Sequence, residues 1–320
     1  MIKKLMLAVP LLAQMAMPVW AETDYPQHPI RMVHGFAAGG NADTVARIVA
    51  DAMSRDLGQP VVVEAKPGAG GNVASDFVSK ADADGYTLEL MVGGHAVAPA
   101  LYASLPFDPL ESFDFVSTVG KFPFFIAARA GTYGTLQEVI EAAKANPGSI
   151  KIGHAGVGTT QHLTGELLGL ATGVKFTHIP YKGGAAASTA LLGGEIDLII
   201  DAGTVVRGQA ASGDFTILAV SSKDRWVDAP DVPTVAETVA PDFDVISWTG
   251  IGLPAGVPAE IEDKLHASVV KALADPGVQE RLRALGSEPA ASTGAEMRAM
   301  VADQIAVWTK VVDAAGLEKR

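Results

Sequence analysis

The sequence contains no cysteine, so neither a disulfide nor the cysteine of a lipid-anchored export protein is available. It is also short of basic residues, with 24 Lys and Arg against 36 Asp and Glu and a formal net charge of -12. An acidic surface argues against nucleic acid and anionic membranes as partners. Several chemical signatures are missing. The stretch GAGGNVAS, residues 68–75, lacks the lysine and hydroxyl residue that a phosphate-binding P-loop needs after its last glycine. Gly156 and Gly158 are followed by Gln161 where a dinucleotide-binding GxGxxG needs glycine, and no GxSxG nucleophile elbow occurs. Asp82 to Gly85 could open a calcium loop, but Gly93 stands where the bidentate glutamate belongs. His154, His162 and His178 lack the short paired spacing of a metal motif, so neither a metal nor another cofactor is expected.

What is present is a globular composition, 48% hydrophobic and 19% charged, in 320 residues, which suits two α/β lobes and excludes disorder. Residues 1–21 read as a secretory leader. Lys3 and Lys4 begin it, Leu5 to Val19 form its apolar segment, and Val19-Trp20-Ala21 offers a small-residue cleavage site before Glu22. Pro10, Gln14 and Pro18 interrupt a segment already short for a membrane span. Its removal takes away two lysines and leaves a net charge of -14, and an exported, periplasmic protein is expected.

The chain is organised around two glycine-rich turns. In the first, HGFAAGGNAD (His34 to Asp43), an apolar run ending at Val33 meets a helix with Val45, Ile48, Val49, Ala52 and Met53 at helical spacing. Gly39 and Gly40 allow close backbone approach, the free amides of the helix end are anion donors, and Asn41 or Asp43 can cap it. The second, GHAGVGTTQHLTGE (residues 153–166), repeats strand, glycine turn and helix, with Leu163, Leu167, Leu170 and Ala171 expected on one face. No Lys or Arg lies between Arg31 and Arg47, or between Lys151 and Lys175. An anion gripped by both turns would therefore be held by backbone dipoles and hydroxyls. The overall negative charge is screened within roughly 8 Å at physiological salt, whereas such donors act at contact.

Strands alternate with helices along the chain, which predicts parallel sheets with ligands beyond their carboxyl ends. Gly93-Gly94-His95 after the strand Tyr86 to Val92 is another candidate cleft loop, placing Gly93 and His95 at the site. A buried strand, Glu195 to Asp201, delivers Asp201 to its carboxyl end. Phe113 to Ala127 and Val245 to Leu253 are the expected crossovers between lobes. Three scaffold helices close the chain, with Asp275-Pro276 opening the second and Thr293 and Glu296 forming a capping box on the last. Phe36, Phe124, Phe125 and Trp248 are expected to pack in core and hinge rather than form an aromatic ligand wall.

Ten collinear stretches resemble the tripartite tricarboxylate transporter substrate-binding proteins, the Bug or TctC family. They are YPQHPIRMVHGFAAGGNADTVAR, LGQPVVVEAKPGAGG, DGYTL, ALYASLPFDPLESFDFVSTV, AKANPGSIKIGHAGVGTTQHLTGE, HIPYKGG, LLGGEID, DVPTVAET, PAGVPAEIEDKL and VWTKVVDAAGL. The resemblance implies a type II periplasmic-binding-protein fold, two α/β lobes joined by two crossover strands with a ligand cleft between them. Residues 22–123 and 246–320 would form the first lobe and 124–245 the second.

It also implies ligand contacts at Phe36, Ala38, Gly39, Gly40 and Asp43, at Gly158, Thr159, Thr160, Gln161 and His162, and at Asp201. A side chain introduced at Gly39 or Gly158 is expected to fill the anion position. The chain departs from the family's usual prolines at Gly35 and Ala38, from its asparagine-arginine pair at Ala65 and Lys66, and from its serine and proline after Asp201, where it reads AGTVVRGQ. Ligand identity is therefore not carried over.

The functional expectation is a monomeric, non-catalytic receptor that captures a small carboxylate (an organic acid, acidic amino acid or aromatic acid) and delivers it to integral membrane subunits of a secondary transporter. A receptor signalling to a sensor kinase is a variant of it. A periplasmic hydrolase or lyase using His95, His162 or Asp201 is the contrasting class, and no nucleophile-base pair or metal motif in the sequence supports it.

Overall fold

The computed structural model describes residues 25–319, so the leader, residues 1–21, lies outside the described residues. The first part of the chain runs β1 (Ile30–His34), α1 (Asn41–Leu57), β2 (Val61–Ala65), α2 (Asn72–Ser79), β3 (Thr87–Val92) and α3 (Gly94–Leu101). A long strand, β4 (Phe113–Arg129), leads to α4 (Leu136–Ala145), β5 (Lys151–His154), α5 (Thr160–Thr172), β6 (Thr177–Pro180), α6 (Gly184–Gly193), β7 (Leu198–Ala202), α7 (Gly203–Ala211), β8 (Phe215–Val220) and α8 (Val235–Thr238). The chain returns through β9 (Ile246–Pro254) and ends with α9 (Ala259–Ala274), α10 (Pro276–Ala284), the short β10 (Glu288–Pro289) and α11 (Gly294–Ala314).

The strands lie in the order β2-β1-β3-β9-β4-β7-β5-β6. Parallel pairs β1–β2 and β1–β3 build the first lobe, and β5–β6 and β5–β7 the second. Between them β4 serves both. Its first part pairs antiparallel with β9, from Phe113 opposite Pro254 to Pro123 opposite Ile246, and from Phe124 onward it pairs with β7 and β8. The two lobes are thus joined by β4 and β9. The carboxyl ends of β1 and β3 face those of β5, β6 and β7 across the junction.

Local chemistry explains the stops. Gly58 closes α1 in the left-handed conformation, φ 69°. Asp275 caps α10 with Pro276 at its first turn, and Thr293 and Glu296 make a reciprocal capping box on α11. Val45, Ile48, Val49 and Met53 of α1 are buried in a core shared with Leu265 and Val269 of α9.

Two elements differ from the sequence reading. The stretch expected as a loop at Gly94-His95 is the start of α3, which is buried on almost every side and contains Pro99, so it shows no polar face and no helical signal. On α5 the buried leucines are Leu163 and Leu168, while Leu170 is exposed, because the helix turns Thr164 and Gly165 rather than Leu170 and Ala171 toward β6. Among the described residues no helix is long and apolar enough to cross a membrane.

One buried carboxyl in the first lobe makes stability depend on pH. Burial pushes Glu89 on β3 up to about 8, against a hydrogen bond from the Ser75 hydroxyl at 2.7 Å, and its second oxygen has no partner. The unfolded chain ionises this group near its ordinary value, so the stability it contributes is complete below that value and is lost as pH rises toward 8. Glu89→Gln is expected to melt at or above the native temperature at about pH 8, with a flatter pH dependence. Thermal melts across pH check this; a variant less stable than native at every pH would refute it.

Candidate functional site

After β1 the backbone makes a tight turn, with Gly39 at φ 81°, into Gly40 and α1. The turn is fastened from behind by its own helix. The Asp43 carboxylate accepts the Gly39 N–H at 3.0 Å and is held by the Arg47 guanidinium at 2.9 Å and by His34 Nε2 at 3.3 Å. Burial would raise this carboxyl, but the hydrogen bonds from Arg47 and Gly39 outweigh it and keep Asp43 below its ordinary value. Asp43 is therefore ionised, buried and already paired, and Arg47 is spent on it.

The second turn is built around Gly156 and Gly158, at φ 134° and 80°. Thr159 caps α5, its oxygen accepting the His162 N–H at 3.3 Å while its hydroxyl donates to the Gly156 carbonyl at 2.7 Å. The first turn of α5 then presents Thr160 and Gln161, and Gln161 Nε2 donates to Asp201 Oδ1 at 3.4 Å.

These turns meet over a narrow, partly open cavity of about 30 Å³. Its walls include Phe36, Gly40, Gly93, Thr159, Thr160, Gln161 and Asp201, which sequence reasoning named, together with Asn41, Phe122, Gly184 and Ser247, which it did not. The termini of α1, α3, α5 and α6 all reach this one space through Gly40, Gly94, Thr160 and Gly184, so four positive helix ends converge there. Among the described residues that line it there is no Lys or Arg, and Asp201 is the only acidic one.

Asp201 is 1% exposed at the end of β7. Burial pushes its carboxyl up to about 7, although hydrogen bonds from the Ala202 N–H at 2.8 Å and from Gln161 pull the other way. Its Oδ2 has no partner and lies so near Gly184 that a Cβ there would come within 2.3 Å. Near neutral pH this carboxyl is therefore partly protonated at the cavity wall.

The remaining predicted residues stand elsewhere. Ala38 and Gly39 are exposed on the turn, and Asp43 lies behind it. A Cβ on Gly39 would point to Ala185 at 3.8 Å, and one on Gly158 would meet the Tyr102 ring at 3.1 Å. Side chains at these positions point at neighbouring protein atoms instead of filling an anion position, and both glycines are required by their positive φ. His95 lies within α3, stacked on Phe107 with Phe113 and Phe115 edge-on to its ring, and its Nε2 is bonded to the Pro109 carbonyl at 2.8 Å. His162 turns away from the cavity and toward His154 and His178. The spacing argument against a histidine cluster fails here, because parallel pairing of β5 and β6 brings together residues far apart in sequence.

The aromatic expectation divides. Phe36 and Phe124 line the cavity beside Phe122, whereas Phe125 packs in a separate core and Trp248 donates to Gln304 at 2.9 Å.

The lobes touch across the cleft. The Ala37 N–H donates to the Lys182 carbonyl at 3.1 Å and the Thr204 hydroxyl to Asn41 Oδ1 at 2.5 Å. Gly35 approaches Gly71 so closely that a Cβ would lie 2.4 Å from its Cα. A larger residue at this position would break that backbone contact.

The geometry has counterparts among known proteins. The family model described as "Tripartite tricarboxylate transporter family receptor" matches residues 45–317. The structure of the periplasmic binding protein BugD is 39% identical and superposes with a TM-score of 0.89 over 92% of this chain and 100% of that one. An R. palustris protein solved with adipate is 31% identical, with a TM-score of 0.89 over 92% and 100% of the two chains. MatC from Rhodopseudomonas palustris, solved with bound malate, is 31% identical, with a TM-score of 0.85 over 90% and 100%.

Proposed function

Because the chain belongs to the tripartite tricarboxylate transporter receptor family, the periplasmic solute-binding proteins of the Bug and TctC type, we propose that it captures a small carboxylate between its lobes. The captured solute passes to the membrane subunits of a tripartite tricarboxylate-type secondary transporter. The observation that carries this reading is the convergence of four helix N-termini on a cavity lined by no Lys or Arg. Relatives solved with adipate and with malate support a dicarboxylate as the ligand class.

In this reading one carboxylate accepts from the turn at Gly40 and Asn41 and from the hydroxyls and amides near Thr160, while Phe36, Phe122 and Phe124 cover the carbon chain. Charge-assisted hydrogen bonds contribute about 1.5 to 3 kcal/mol each. Several of them, less ordering costs, reach the roughly 8 kcal/mol of a micromolar complex. The lobes, residues 22–123 with 246–320 and residues 124–245, close by bending at β4 and β9. The ligand favours the closed state only through its greater affinity for it. No chemical step is assigned to the site.

The test is a thermal-shift screen of residues 22–320, stripped of co-purified solute by unfolding and refolding, against mono-, di- and tricarboxylates, acidic amino acids and aromatic acids. A ligand at 100 times its dissociation constant adds about 2.7 kcal/mol, a rise of a few degrees. No shift with any of these acids would overturn the carboxylate reading.

A further inference from the structure

Behind the second turn, on the side away from the ligand cavity, three imidazoles meet. His154 ends β5, His162 sits in the first turns of α5, and His178 lies on β6. Their ring centres are 4.7, 5.8 and 5.3 Å apart, and one nitrogen from each ring lies within 4.8 Å of the others.

Each ring has an oxygen near one nitrogen and nothing on the other. His154 Nδ1 bonds to the Gly156 carbonyl at 3.0 Å, and the Nε2 atoms of His162 and His178 each stand 3.5 Å from Glu166 Oε1. Left over are His154 Nε2, His162 Nδ1 and His178 Nδ1, all buried without a partner. Three orphaned ring nitrogens in one place are costly for a structure that gains nothing from them. An oxygen neighbour on the other nitrogen is the arrangement that orients histidine toward a metal.

We propose that His154, His162 and His178 form a binding site for a divalent transition-metal ion of the zinc class. Nitrogen donors in this number select Zn²⁺ and its neighbours over Ca²⁺ or Mg²⁺, which take oxygen ligands. Glu166 stands at the opposite nitrogens of His162 and His178 and would orient those two rings, leaving the fourth position to water. With Zn–N bonds of about 2.1 Å, tetrahedral ligand atoms stand about 3.4 Å apart, so small ring rotations complete the site. Burial holds His154 well below its ordinary value and His178 below it, keeping them in the neutral form that coordinates. The same rings line a surface cleft beside Leu317 and Glu318, which gives an ion a way in. A bound ion would brace the turn from Gly156 to Thr159, whose other side borders the ligand cavity.

The experiment uses untagged residues 22–320, treated with EDTA and dialysed, titrated with Zn²⁺ alone and separately with Co²⁺. The expected result is one Zn²⁺ per chain at micromolar affinity or better, a melting temperature several degrees higher, and the intense visible bands of four-coordinate Co²⁺. His154→Gln and His178→Gln should each weaken Zn²⁺ binding roughly 100-fold or more. X-ray absorption of the Zn²⁺-loaded native protein needs no variant and should count three imidazoles. Absence of binding at millimolar Zn²⁺, fewer than two imidazoles on the ion, or full affinity in the doubly substituted, folded protein would each overturn the proposal.

Discussion

Gly93→Val is expected to leave the protein folded and to lower carboxylate affinity roughly 100-fold or more. Gly93 has φ -51° and ψ -23°, a helical conformation open to any residue, so a side chain brings no backbone strain. Its Cβ, however, would stand 2.6 Å from both the Thr160 hydroxyl and the Ser247 hydroxyl, which line the cavity from opposite lobes. The first carbon must turn both hydroxyls aside, and the two methyl groups then take up space that the ligand needs. The loss of two hydrogen bonds to an anion accounts for most of the expected effect. Gly93→Ala should fall between native and valine. Calorimetry with the best acid from the panel, beside melting curves, checks this; a folded valine variant with native affinity would remove Gly93 from the site.

The second large effect concerns Asp201. With its carboxyl raised to about 7 by burial, the protonated form is the one that can donate to a ligand carboxylate, and the ionised form repels it. Affinity for a dicarboxylate is therefore expected to fall as pH rises above 7, by up to roughly tenfold per unit. Asp201→Asn, which keeps a donor and cannot ionise, should flatten that dependence. Stability follows the same group. Its native value lies above its unfolded one, so its contribution is full below about pH 4 and lost as pH rises through 7, at about 1.4 kcal/mol per unit. The asparagine variant should thus melt above the native protein at about pH 8 and lose that advantage at about pH 4. Affinity that instead rises with pH would mean that Asp201 accepts from a donor group on the ligand.

Much of this arrangement was legible in the sequence because it rests on local chemistry. Glycines in the two main turns, the capping box of Thr293 and Glu296 and the aspartate ending β7 are each recognisable within a few residues. What escaped depends on contacts distant in sequence. Gly184 and Ser247 carry no mark of a binding site; they reach the cavity because β6 ends and β9 begins there. Gly93 read as a loop because α3, buried all round, offers no alternation of polar and apolar residues. Asp43 was named for the right turn, but its carboxylate is consumed by Gly39, Arg47 and His34. The histidines were dismissed on spacing, yet His178 lies opposite Ile152 in the register of β5 and β6, one pleat from His154. Sequence separation says little about distance once strands pair in parallel.

The proposal for the cavity is that an anion is held there by amides and hydroxyls from both lobes, without a cationic side chain. The most direct measurement is isothermal titration of solute-stripped residues 22–320 with adipate, malate and shorter and longer dicarboxylates, repeated with Gly93→Val at about pH 6 and about pH 8. The account predicts one-to-one binding of at least one of these acids, tighter at the lower pH and lost in the valine variant. Binding of none of them, or binding that Gly93→Val leaves unchanged, would contradict it.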